Sequence, residues 1–223
     1  MSPRAVVFDF DGTLIDTEAC ILRAQEILHA ELGLEYDANR WAASIGSAEH
    51  SAWATELALA TKVEITADEV RHRRSALSLG LANELGLMPG MSELIDEYRA
   101  AGIVLGIASN SSRRWLHHHL DRLGIDSLFD VVLTREDVAH PKPAPDMFAE
   151  AAVALDAAPA EALAIEDSPN GAMAAVAAGL RCAVLVSAYL DDAEYPEAAR
   201  IVASPDELHV RDLEAHWNTW SDV

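Results

Sequence analysis

"AVVFDFDGTLIDTE", residues 5–18, decides how the chain is read. A run of small and aromatic apolar residues, as in a buried strand, ends in Asp9-Phe10-Asp11-Gly12-Thr13. Burying a carboxylate costs free energy unless something pairs it. Two acids, a glycine and a hydroxyl at the end of a buried strand therefore demand a chemical reason.

Outward from that strand the chain changes character twice. Residues 17–86 read as helix throughout. Ile21, Ala24, Leu28 and Leu32 recur near helical spacing, and Gly33 supplies a stop. Ser47 is placed to cap a helix carrying Trp53 and Leu57. Thr66-Ala67-Asp68-Glu69 forms a capping box ahead of Val70, Leu77, Leu81 and Leu85. After Pro89-Gly90 strands and helices alternate. Helix 92–101, strand 103–109, helix 112–123, strand 131–134, helix 145–156 and strand 162–168 follow in order. Ser168 and Pro169 then open a helix that Gly179 closes, and residues 182–186 form a strand. Such alternation predicts a parallel sheet with helices on both faces. The expected fold is α/β. A Rossmann-like core comprises residues 1–16 and 87–223, and an all-helical cap, residues 17–86, is inserted after the first strand. In residues 187–223 only a short strand near Ile201-Val202 is legible.

Composition narrows the partners. The 223 residues suffice for one large domain or a domain carrying an insertion. A net charge of -21 disfavours nucleic acid and anionic lipid, which bind clustered Lys and Arg. No stretch reaches the ~18 consecutive apolar residues of a membrane helix. Met-Ser-Pro-Arg runs straight into the first strand without a secretory leader. Cys20 and Cys182, in no CxxC spacing, fit a reducing cytoplasm. The expectation is a cytoplasmic monomer acting on a small molecule. If that molecule is an anion, a cation or a placed lysine must make its site locally positive.

Ligands of open parallel sheets sit at the carboxyl ends of the strands. There this sequence places Asp9 and Asp11, then Ser109-Asn110, then Lys142 between Pro141 and Pro143, then Glu166-Asp167. Four acids so close raise one another's pKa unless a cation joins them, and hard oxygen ligands select Mg²⁺. Magnesium, a lysine and a hydroxyl together receive a phosphoryl group. One carboxylate is then free to attack phosphorus and form an aspartyl-phosphate. A turn at Gly12 lets the second acid address the leaving oxygen.

These segments resemble a known family. "DFDGT", "ASN", "HPKPAPD" and "IEDSPNGAMAAVAAG" look like the four motifs of the haloacid dehalogenase superfamily, from residue 5 to about 186. The nearest likeness is to its phosphatases and β-phosphoglucomutases with a helical cap after the first strand. The resemblance implies Asp9 as nucleophile and Asp11 as general acid and base, lending its backbone carbonyl to the metal. It implies Ser109, with Asn110 sharing the role, and Lys142 as phosphate binders. It implies Asp167 as a magnesium ligand, with Glu166 ligating directly, through water, or orienting its neighbours. It also implies a mobile cap closing over a small phosphorylated metabolite such as a sugar, polyol or acid.

Competing classes are a phosphomutase, a phosphorylated switch and a dehalogenase. Asp11 and the long insertion disfavour the switch, and Asp11 disfavours the dehalogenase. The β-phosphoglucomutases carry a cap histidine twelve residues after the nucleophile, where this chain has Ile21. Phosphate release is the expected outcome. Outside the motifs, His117, His118 and His119 read as a surface helix feature, because consecutive helical residues do not face one another. Arg71, Arg73 and Arg74 read as a solvated face, and Trp41 and Trp53 as cap core.

Overall fold

Val6 and Phe8 point to one side of the first strand, Ala5 and Val7 to the other, and all four are fully buried. A strand buried on both faces needs a sheet covered on both sides. In the computed structural model, which describes residues 2–38, 52–187 and 193–220, β1 (Ala5–Phe8) lies inside such a sheet. Its companions are β2 (Val104–Ser109), β3 (Val131–Thr134), β4 (Ala162–Glu166), β5 (Arg181–Leu185) and β6 (Ala199–Val202). The order is β3-β2-β1-β4-β5-β6, and every pairing is parallel. This is the Rossmann-like α/β architecture that the alternation predicts.

Register places the site. Phe8 is level with Ile107 on β2 and Ile165 on β4. One residue later, the Asp9 N–H donates to the Ile165 carbonyl at 2.8 Å, so pairing continues past the strand. The chain leaves β1 toward β2 and β3, then returns on the other side through β4, β5 and β6. The carboxyl ends of β1, β2 and β4 thus meet where the order reverses, the place where open α/β sheets bind ligands.

The chain separates into two compact units, Asp16–Leu85 and Met1–Ile15 with Gly86–Val223. Among the described residues the first is helical only. It holds α1 (Thr17–Glu31), α2 (Trp53–Ala60) and α3 (Ala67–Ala82) around Leu28, Leu32, Ala54 and Val70. Thr66 and Glu69 complete the capping box of α3. Trp53 packs against this core, as expected, and Arg71 pairs with exposed Asp68. Arg74 departs from the solvated-face expectation. It is half-buried, with its guanidinium 4.8 Å from the Trp53 ring centre. Trp41 and Ser47 lie outside the described residues.

In the other unit α4 (Met91–Ala100), α5 (Arg113–Leu123) and α8 (Val210–His216) supply the core on the Val6 and Phe8 side. There Phe8 meets the rings of Tyr98 and Phe129. Helices α6 (Asp146–Ala154) and α7 (Pro169–Ala177) cover the Ala5 and Val7 side. Sequence reading misses α8, a seven-residue helix held by tertiary contacts. The Tyr98 hydroxyl donates to the Leu208 carbonyl at 2.6 Å, and the Glu97 carboxylate accepts from the Val210 N–H at 3.0 Å. Cys20 and Cys182 are buried free thiols. No helix among the described residues is long and apolar enough to cross a membrane.

The histidine run needs a correction. His118 is exposed and His117 half-buried, but His119 is fully buried. It lies three residues after Leu116 and beside Leu120, on the stripe that α5 turns inward. Its ring packs 4.5 Å from that of Trp115, its Nδ1 accepts from Arg122 at 3.3 Å, and its Nε2 has no hydrogen-bond partner among the described residues. Burial first, then Arg122 and His118, pushes its pKa from 6.5 down to about 4. Between those values the unfolded chain binds more protons than the folded one, so stability falls as pH falls through that window. We expect this histidine to cost on the order of 3 kcal/mol at pH 4 relative to neutral pH. Urea unfolding of wild type and His119→Phe across this range should show a flatter acid limb for the variant; equal slopes would contradict it.

Candidate active site

Lys142 is the centre of the site. It is 4% exposed, and its Nζ donates to Asp9 Oδ1 and to Glu166 Oε1, each at 2.6 Å. The ammonium also lies 4.7 Å from the centre of the Phe148 ring. A reciprocal clamp fixes its backbone. The Lys142 N–H donates to Asn110 Oδ1, and Asn110 Nδ2 donates to the Lys142 carbonyl, both at 3.0 Å. Asn110 follows β2 directly, so the end of that strand sets the position of the lysine loop.

Glu166 ends β4 and is fully buried. While Oε1 holds Lys142, Oε2 accepts from the N–H groups of Asp167 (3.0 Å) and Ser168 (2.9 Å) and from the Ser168 hydroxyl (3.0 Å). Ser168 also caps α7 by accepting from the Gly171 N–H. Gly171 is there for space: a Cβ on it would lie 1.7 Å from Glu166 Oε1. Gly12 does the same for the neighbouring acid. It sits at φ +87°, and a Cβ there would lie 2.1 Å from Asp167 Oδ2. The Asp167 carbonyl accepts from the Tyr195 hydroxyl at 2.8 Å.

Asp11 has different neighbours. Its Oδ1 accepts from Trp115 Nε1 at 2.9 Å. Its Oδ2 accepts from the Ser111 hydroxyl and, at the longer distance of 3.4 Å, from the Ser109 hydroxyl. The Ser111 N–H in turn donates to Ser109 Oγ at 3.0 Å. Two acids two residues apart are thus sorted, Asp9 toward the lysine and Asp11 toward the hydroxyls and indole after β2.

Electrostatics sharpen the contrast. Burial pushes the Asp9 carboxyl well above the usual range; Glu166 and Asp11 add to this, and Lys142 opposes it. Burial alone would lower the Lys142 pKa, but Asp9 and Glu166 outweigh it and keep the ammonium protonated. Asp9, Glu166 and Asp167 each place a carboxylate oxygen within 4.8 Å of the others. Three buried carboxylates lie together, two of them on the one ammonium, and their hard oxygens fit a magnesium-like cation.

Of the seven expected site residues, Asp9, Asp11, Ser109, Asn110, Glu166 and Asp167 fall at these adjacent strand ends, and Lys142 reaches them from the loop after β3. The Asn110 side chain is turned to the lysine backbone. Sequence reading misses Ser111, Trp115, Gly171 and Tyr195. Ser111 and Trp115 lie four apart, at a spacing that allows two residues to serve one acceptor. Gly171 shows only as a glycine in the first turn of a helix, an unfavourable place without a packing reason.

The sequence profile of the haloacid dehalogenase-like hydrolases matches residues 6–185. The CbbY protein of Cereibacter sphaeroides is 32% identical, over 92% of this chain and 94% of its own. Hexitol phosphatase B of Escherichia coli is 29% identical, over 94% of this chain and 96% of its own. A crystal structure of a CbbY variant from Rhodobacter sphaeroides in complex with xylulose-1,5-bisphosphate superposes with a TM-score of 0.77. It is 30% identical and covers 92% of this chain and 96% of that one.

The space reserved by Gly171 gives a test. Gly171→Ala must displace a buried carboxylate that holds Lys142, and should cost roughly 1–3 kcal/mol in chemical denaturation. Gly80→Ala, in α3 with nothing within 4 Å of the added carbon, should be neutral or gain up to about 1 kcal/mol. Equal effects would show that Gly171 is not reserving space for Glu166.

Proposed function

The chain belongs to the haloacid dehalogenase-like hydrolases, and from that membership we propose that it is a magnesium-dependent phosphatase of small sugar- or polyol-phosphates, working through an aspartyl-phosphate. The observation that carries the reading is Lys142 bonded to Asp9 in a buried site, with Asp11 held apart by a different set of donors. The substrate class draws support from the hexitol phosphatase and from the bisphosphate-bound CbbY structure.

In this reading Asp9 is the nucleophile. One of its oxygens forms a bond to phosphorus while the bond to the leaving oxygen breaks, and Asp11 gives that oxygen a proton. Water then attacks the phosphorus, its proton passes to Asp11, and the bond to Asp9 breaks. The Ser109 hydroxyl and the Lys142 ammonium bind the nonbridging oxygens, which need donors already in place as charge develops. The Asn110 side chain is engaged with the lysine loop, so any share it takes in binding phosphate would fall to its backbone N–H. Asp9, Asp167 and the Asp11 carbonyl would hold the cation, which when bound neutralises phosphoryl charge and keeps the carboxylates ionised. Glu166 has both oxygens engaged, which supports an orienting role beside it. The helical unit Asp16–Leu85 is where selectivity for the rest of the substrate is expected to reside.

A panel of phosphorylated sugars and polyols, scored for phosphate release, tests the class. Release from p-nitrophenyl phosphate should stop in excess chelator and return with Mg²⁺. Asp9→Asn should abolish it without lowering the thermal midpoint. Full activity in chelator would remove the metal from the reading, and near-native rates in Asp9→Asn would move the nucleophile elsewhere.

Hydrolysis and mutase chemistry share the same first half. Ile21, at the position of the mutase histidine, can neither donate a hydrogen bond nor carry a proton. Incubation with β-glucose 1-phosphate, Mg²⁺ and a bisphosphate primer should therefore yield no glucose 6-phosphate. Efficient conversion without phosphate release would overturn the phosphatase reading.

A further inference from the structure

Trp115 sits in the first turn of α5, where the Ser112 cap accepts its backbone N–H at 3.3 Å. Its ring rests against fully buried His119, with centroids 4.5 Å apart at 71°. The indole is thus held by its helix and by the core, and its Nε1 reaches Asp11 Oδ1 at 2.9 Å. We propose that Trp115 is a positioning residue for Asp11, fixing Oδ1 as an acceptor so that the proton Asp11 transfers travels on Oδ2. The proposal rests on the reading of Asp11 as general acid and base.

The chemistry follows from what each donor can do. An indole N–H only donates. A proton on Oδ1 would oppose it hydrogen to hydrogen, so that placement is disfavoured. Oδ2 faces hydroxyls, those of Ser111 and Ser109, and a hydroxyl can donate to a carboxylate or rotate to accept from a carboxylic acid. The Oδ2 side therefore accommodates both states of Asp11, and the Oδ1 side only one. Ser109 also belongs to the proposed phosphate contacts, which places Oδ2 beside the bound phosphoryl group. In the first half-reaction the proton leaves Oδ2 as the phosphorus bond to the leaving oxygen breaks, and that oxygen takes it up. In the second, the attacking water delivers a proton to Oδ2 as its oxygen bonds phosphorus and the bond to Asp9 breaks. A bond from a neutral donor to a carboxylate is also stronger than one between neutral groups. Trp115 thereby orients the carboxyl plane while Asp11 is charged and specifies the oxygen when it is not.

The experiment compares leaving groups. Phenol is a poor leaving group that needs the acid, whereas 2,4-dinitrophenol departs as a stable anion. The ratio of kcat/KM for phenyl phosphate to that for 2,4-dinitrophenyl phosphate, with Mg²⁺ present, therefore reads proton delivery. Trp115→Phe keeps an aromatic ring and removes the donor. It should lower kcat/KM about 10–100-fold on phenyl phosphate and less than about threefold on the dinitrophenyl ester, against ~10²–10⁴-fold for the acid itself in Asp11→Asn on phenyl phosphate. Equal losses on both esters in Trp115→Phe, with a steep leaving-group dependence in Asp11→Asn, overturn the positioning role alone. A flat profile in Asp11→Asn overturns the acid–base reading and the proposal with it. A second readout needs neither turnover nor an unaltered fold in Trp115→Phe. Among the indole N–H resonances of the five tryptophans, that of Trp115 should move upfield in Asp11→Ala. An unmoved resonance overturns the bond on which the proposal stands.

Discussion

One buried ammonium shared between two carboxylates governs this molecule. Lys142 bonds Asp9 and Glu166 with both acids out of water. Desolvating three charges is expensive, and apolar side chains of similar volume often stabilise a fold better than such a cluster. Stability therefore does not explain the arrangement, whereas the reaction proposed at Asp9 would. Much of the surrounding structure serves that one contact. Parallel pairing brings the ends of β1 and β4 level, the Asn110 clamp fixes the lysine backbone, and Gly171 leaves the volume that Glu166 fills. The same economy appears at Asp167, whose carboxylate occupies the place of a side chain that Gly12 lacks.

What a sequence discloses depends on the range of its patterns. Alternating strands and helices, the capping box at Thr66 and the acids at strand ends are local patterns, and each corresponds to an element or a strand end in the structure. The features that stay hidden depend on partners far along the chain. Trp115 meets Asp11 across 104 residues, and Asn110 meets Lys142 across 32. Nothing in the composition of "SSRRW" says that an indole will face a carboxylate. His119 is hard to tell from its neighbours for a related reason. Three consecutive histidines look alike in sequence, while a helix sends each about 100° from the last. Only the stripe of Leu116 and Leu120 distinguishes the buried one. Helix α8 is illegible because its order comes from Tyr98 and Glu97, more than a hundred residues earlier.

The deepest consequence of the geometry is that Asp9 and Asp11, separated by one residue, are made chemically unlike. The two are held by different partners, and the roles proposed for them rest on that difference. Burial raises the Asp9 pKa, but Asp9 also faces a fixed cation that opposes the rise, and in the proposed reaction that contact favours the carboxylate that attacks. Asp11 faces hydroxyls that can either donate or accept, which suits the acid–base role proposed for it. The turn at Gly12, with its positive φ, follows directly on Asp11 and carries the chain away from the line of β1. A side chain at that glycine would do more than strain a turn. It would push into Asp167, and so disturb the acidic side of the site from the same residue that helps the second aspartate face the hydroxyl side. The separation of the two aspartates and the placement of the third acid are thus one structural decision, made where the first strand ends.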